Sequence, residues 1–173
     1  EHPSILKAKD YQQHDHGPAL VYEYDPDAVR LDHLLLHLED TKRLEMYQAV
    51  SLLRNIAEAV QYAHGQKLFH RALSPQSIYV RKIDDDYKVK ICNWSTAERV
   101  YETETKQVTA FSHLTRLVQE DAGPYVALES HSLADADGVH MDVFSLGTIA
   151  YHIFTGKKPA ENDLELQDKL SRG

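Results

Sequence analysis

The chain has 173 residues, of which 42% are hydrophobic and 27% charged, the proportions of one globular domain or a large part of one. A formal net charge of −8 argues against a nucleic-acid or anionic-membrane surface, because phosphate backbones select for an excess of Lys and Arg. Cys92 is the sole cysteine, so no internal disulfide can form and a reducing compartment, by default the cytoplasm, is expected.

In chain order, Ala19 to Tyr24 lies between Gly17-Pro18 and Asp25-Pro26 and reads as a strand, since aromatic and branched residues are bounded by breakers. Leu31 to Leu38 reads as a short helix, with Asp40 or Thr41 as the cap of the next one. Met46, Val50, Leu53, Ala57, Val60 and Ala63 then recur every three or four residues, which predicts a long amphipathic helix with that stripe buried. Gly65 is expected to end it.

Ser77 to Lys82 and Tyr87 to Cys92 predict a hairpin turned at Asp84-Asp85-Asp86. Asn93 to Gly123 shows little periodicity and reads as a long loop, a kind that is usually functional or disordered. The run Met141 to Phe154 is the most apolar, but Asp142, Ser145 and His152 interrupt it. It is shorter than the roughly 20 apolar residues of a membrane span. A buried helix from about His140 to Gly156, apolar nearly all round and central in the fold, is expected. A polar helix from Asp163 to Leu170 follows. The sum is a mainly α (α+β) unit with a small sheet and no dividing linker.

Several landmarks fall in a familiar order. His70-Arg71-Ala72-Leu73-Ser74-Pro75-Gln76-Ser77 resembles the protein-kinase catalytic loop H-R-D-L-x-x-x-N, and Val89-Lys90-Ile91-Cys92-Asn93-Trp94-Ser95 resembles the strand entering D-F-G. Gly123 to Glu129 resembles the end of an activation segment, with Ala127-Leu128-Glu129 for A-P-E. Asp142 to Gly147 resembles the start of the buried helix of the large lobe, Leu20 to Tyr24 the last small-lobe strand, and His2 to Leu6 the turn before the strand that precedes it. The resemblance covers nearly the whole chain. It implies a protein kinase-like fold: residues 1–25 as a remnant of the small lobe and hinge, residues 26–173 as the large lobe, cut before its last helices. An excerpt of a longer, multidomain protein is expected, one only marginally stable alone because Glu129 would lack its usual arginine.

The same resemblance implies a degenerate site. Ala72 stands where the family has the aspartate that accepts the substrate proton, and a methyl group cannot do so; such a base contributes roughly 10²–10⁴-fold. The two magnesium positions are Ser77 and Asn93, neutral oxygens where a hard cation favours carboxylate, so no metal is expected. Ser74 replaces a lysine that steadies the transferred phosphoryl group. Tyr22 as gatekeeper, Tyr79 at the adenine floor and Trp94 in D-F-G suggest a pocket plugged by rings. Glu23 and Asp25 mark hinge backbone that could still hold adenine. No cofactor is therefore expected, apart from ATP held without magnesium.

Glu129, Asp142, His70 and Arg71 are expected to be structural, Asp142 by tying to the His70-Arg71 turn. The alternative for Arg71 is docking a phosphorylated Thr103, Thr105, Thr109, Ser112 or Thr115. His33 and His37 at i, i+4, His14-Asp15-His16 and the Asp84–Asp86 turn read as solvated surface rather than metal sites, and Cys92 as a buried inert thiol. The function this implies is that of a pseudokinase: a scaffold or allosteric module acting on a protein partner or on other domains of its parent. The alternatives are a nucleotide sensor without phosphoryl transfer, and an atypical Ser/Thr kinase with residual activity.

Overall fold

The computed structural model describes residues 2–15, 17–40, 43–94, 98–99, 122–128 and 137–172. Strands β1 (Ala8–His14) and β2 (Gly17–Tyr22) form an antiparallel ribbon in which Ala8 pairs with Tyr22 and His14 with Gly17. Gly17 takes φ +120° at the turn, a conformation open to a residue without Cβ. Every residue of β1 is exposed.

A second sheet carries the core. β3 (Ala28–Arg30) lies beside β5 (Ile78–Ile83), which pairs with β6 (Asp86–Ile91). Alternation sorts the hairpin's faces: Ile78, Val80, Tyr87, Val89 and Ile91 are buried, while Tyr79, Arg81, Lys88 and Lys90 face out. The turn is the pair Asp84-Asp85, with Asp84 at φ +55° and Asp86 already in β6. The chain's start joins β6: Leu6 N donates to Ile91 O at 2.8 Å, and Ile91 N donates to Ser4 O at 2.8 Å. A two-residue strand β4 (Leu68–Phe69) pairs with β7 (Glu98–Arg99), which lies inside the span expected to be a loop; residues 95–97 and 100–121 of that span are outside the described residues.

Helices α1 (Leu31–Asp40) and α2 (Met46–Gly65) follow the first strands. The cap of α2 is Glu45, not Asp40, which ends α1, nor Thr41, which is outside the described residues. Gln48 ties this end down. Its amide oxygen accepts from Glu45 N at 3.2 Å, and its nitrogen donates to Asp85 O at 3.1 Å across the hairpin turn.

The buried stripe of α2 is Ala49, Leu52, Ile56, Ala59, Val60 and Ala63, whereas Met46 and Val50 are 70% and 40% exposed. Both sets satisfy helical spacing. Docking against β6 and the later apolar helix selects one of them. Gly65 stays inside the helix, Gln66 caps it, and Lys67 takes the left-handed turn at φ +55°.

That later helix is α3 (Gly138–Thr155), and α4 (Asp163–Arg172) closes the order. Asp137 caps α3 by accepting from Val139 N at 2.9 Å, and Gly156 ends it at φ +68°. Met141, Asp142, Ser145, Ile149, His152 and Ile153 are its buried face. Val143 and Tyr151 are 55% and 48% exposed, so among the described residues the helix is covered on one side rather than all round. No helix among the described residues is long and apolar enough to cross a membrane.

Candidate functional site

The loop from His70 to Ser77 is held from below by α3. Asp142 is fully buried, so its carboxylate must be satisfied by hydrogen bonds. One oxygen accepts from Arg71 N at 2.7 Å. The other accepts from His70 N at 2.8 Å and from His64 Nε2 at 2.8 Å. The clamp fixes a strained turn, with Arg71 at φ +66°. His64, at the end of α2, is a donor that sequence reasoning missed. It lies 78 positions from Asp142, and no local pattern signals so distant a contact.

His70 is buried behind this turn, with Nε2 2.9 Å from Cys92 O. A carbonyl only accepts, so Nε2 carries the proton. Burial holds the imidazole's pKa below its ordinary value, despite the raising influence of the Cys92 carbonyl and Asp142. The Trp94 ring meets His70 edge-on at 4.8 Å and donates Nε1–H to Ile91 O at 3.1 Å. The Cys92 thiol is buried, which pushes its pKa up to about 11, so little of it is thiolate at neutral pH.

Ala72, Leu73, Ser74 and Ser77 are all buried. Ser77 closes a small cage: its Oγ donates to Ser74 O at 2.8 Å and accepts from Ser74 N at 3.0 Å. Cys92 N donates to Ser77 O at 2.8 Å, which brings the loop and the end of β6 together, and Asn93 follows in the left-handed region at φ +59°. The resemblance puts magnesium between Ser77 and Asn93. The residues present do not fit it. The Ser77 hydroxyl is committed within its own turn, and neither position supplies the carboxylate a hard cation favours. Among the described residues no cluster of three His, Cys, Asp or Glu side chains is arranged to hold a metal ion.

Four residues are expected at the adenine site: Tyr22, Glu23, Asp25 and Tyr79. Tyr22 on β2 and Tyr79 on β5 are each 37% exposed, burial and the neighbouring Cys92 raise the Tyr22 pKa, and Trp94 packs against the core. Glu23 faces Lys9 at 3.5 Å, and Asp25 faces Arg81 at 3.3 Å, a side chain that also reaches Asp27 at 3.1 Å. Glu129 and the phosphorylation candidates Thr103, Thr105, Thr109, Ser112 and Thr115 are outside the described residues. The segment before Glu129 is anchored to α3: Tyr125 Oη is 2.7 Å from His152 Nδ1, and Thr148 Oγ1 donates to Tyr125 O at 3.0 Å.

Known proteins resemble the chain in sequence. A probable kinase, PglW, of Streptomyces coelicolor is 30% identical over the whole chain, which covers 12% of that protein. A putative ribosomal protein S6 kinase alpha-2 of Caenorhabditis elegans is 22% identical over 99% of the chain and 23% of its own length. Sperm motility kinase 3A of Mus musculus is 29% identical over 73% of the chain and 22% of its own length. The chain thus spans less than a quarter of each relative. Residues 1–172 match the protein kinase domain, and the chain belongs to that family.

Proposed function

We propose that the chain is a catalytically impaired kinase domain, a pseudokinase that acts as a scaffold or allosteric module in a larger cytoplasmic protein. Residues 1–25 form the end of its small lobe and the hinge, and residues 26–173 its large lobe. One observation carries the reading. The backbone of the catalytic loop is clamped by Asp142 at His70 and Arg71, yet the next residue is the buried methyl group of Ala72. The framework that would aim a general base is kept and the base is missing. Phosphoryl transfer depends on positioning and on neutralising the developing charge. Ala72, Ser74, Ser77 and Asn93 supply neither a proton acceptor nor a charge. The activity of the domain would then lie in binding a protein partner or other domains of its own chain.

The relatives are named as kinases, which favours a second reading with residual phosphoryl transfer. One experiment separates the two. The intact protein is incubated with labelled ATP and magnesium, and a parallel titration follows ATP binding by calorimetry with and without the metal. The scaffold predicts transfer at background under both conditions, and any ATP binding unchanged by magnesium. Transfer above background that disappears when the hinge is mutated would establish an active kinase and sink the proposal.

A further inference from the structure

Two adjoining cavities lie away from the catalytic loop, at the end of α3. The smaller, about 210 Å³, is walled by Leu35, Leu38, Leu44 and Ile153. The larger, about 560 Å³, opens beside Leu36 and Tyr151, which are 49% and 48% exposed. Gly156 and Lys157 line both. Gly156 is the left-handed residue that ends α3, so the junction between the cavities carries no side chain at that position.

Charge around them runs against the chain as a whole. The protein has 27 acidic and 19 basic residues, yet the two cavities are lined by Arg43, Lys157, Lys158 and Lys169, with Glu161 as the one carboxylate. Lys169 is engaged, its Nζ 2.8 Å from Glu165 and 2.9 Å from Pro159 O. Arg43, Lys157 and Lys158 are exposed and have no ion-pair partner among the described residues.

We propose that this double cavity is a docking groove for an acidic peptide segment of a protein partner. An apolar side chain of the segment seats among Leu35, Leu38, Leu44 and Ile153, and its carboxylates face Arg43, Lys157 and Lys158. Apolar depth with a cationic rim is the complement of an acidic, amphipathic segment. Leu35, Leu38, Leu44 and Ile153 line a concavity, which favours a peptide side chain over a lipid surface. A net charge of −8 disfavours a long polyanion such as nucleic acid. The groove stands apart from the catalytic loop, so its use does not depend on whether that loop transfers phosphate.

The test is selection from a random-peptide library on the intact protein, followed by fluorescence anisotropy of the recovered peptides against wild type, Lys157→Glu/Lys158→Glu and Arg43→Ala. All three positions are exposed, so unchanged thermal melting is expected to confirm that each variant folds. Recovered peptides should combine several carboxylates with an apolar residue. They should bind the double variant at least roughly tenfold more weakly and lose affinity as salt is raised. Failure to recover acidic peptides, or equal binding to wild type and both variants, overturns the proposal. So does lysine-dependent binding to phosphatidylserine vesicles with none to peptides, which would assign the patch to a membrane.

Discussion

Three N–H donors converge on the buried carboxylate of Asp142, and removing it leaves the buried His70 N–H and the part-buried Arg71 N–H and His64 imidazole without their shared acceptor. Asp142→Ala should therefore cost about 3–5 kcal/mol, as breaking a buried charged network does. Urea unfolding measures this, and a loss below about 1 kcal/mol would mean that the clamp is not what holds the loop. His70 adds a pH dependence. Its folded pKa lies below the ordinary value, so the unfolded chain takes up the proton first as pH falls through about 6.5. Stability from this group is complete above that pH and is lost on acidification toward the folded pKa. His70→Phe should flatten the fall in unfolding free energy below about pH 6.5; a slope identical to wild type would assign the titration to another histidine. That Asp142 needs partners was legible because an acid inside an apolar run demands them, while its tie to the His70-Arg71 turn was implied by the family resemblance. His64 was not legible, since its contact is made only when α2 meets α3.

At the scale of elements, helix boundaries were read well and helix faces less well. In α2 the competing stripes begin at Met46 and at Ala49. Leu52→Ala, at a fully buried position, should cost about 2–5 kcal/mol, whereas Met46→Ala, 70% exposed, should stay within about 0.5 kcal/mol. Comparing the two denaturation midpoints checks which stripe is the core; equal losses would contradict the buried face described here. Gly156 offers a second test. At φ +68° a Cβ meets its own backbone, so Gly156→Ala should lower stability by about 1–2 kcal/mol. The hairpin was the easiest element to place, because alternation and an acidic turn agree. The short β4–β7 pair was the hardest: two residues per strand carry no period, and their pairing depends on where the chain returns.

For the whole molecule, packing divides the described residues into a core and a ribbon. β5, β6, α2 and α3 share one apolar cluster around Leu52, Ile56, Ile78, Ile91 and Ile149. The β1–β2 ribbon has an exposed strand along its whole first arm, and an isolated two-stranded ribbon is only marginally stable in water. Hydrogen exchange should therefore be fast throughout β1 and β2 and slow in β5, β6 and the middle of α2. Exchange by mass spectrometry reads this directly, and protection of the ribbon equal to that of the hairpin would show that something further covers it.

The sequence alone determined the mainly helical class, the hairpin, the buried apolar helix with its embedded acid, and the absence of any Asp or Glu from His70 to Ser77, because each is written in local spacing or in the residue type itself. Tertiary structure decided which stripe of α2 is buried, that Glu45 rather than Asp40 caps it, and that Trp94 packs against His70. It also decided that basic side chains from distant segments gather round one groove. These outcomes depend on which surfaces meet once the chain folds back on itself, and several docking choices satisfy the same local pattern.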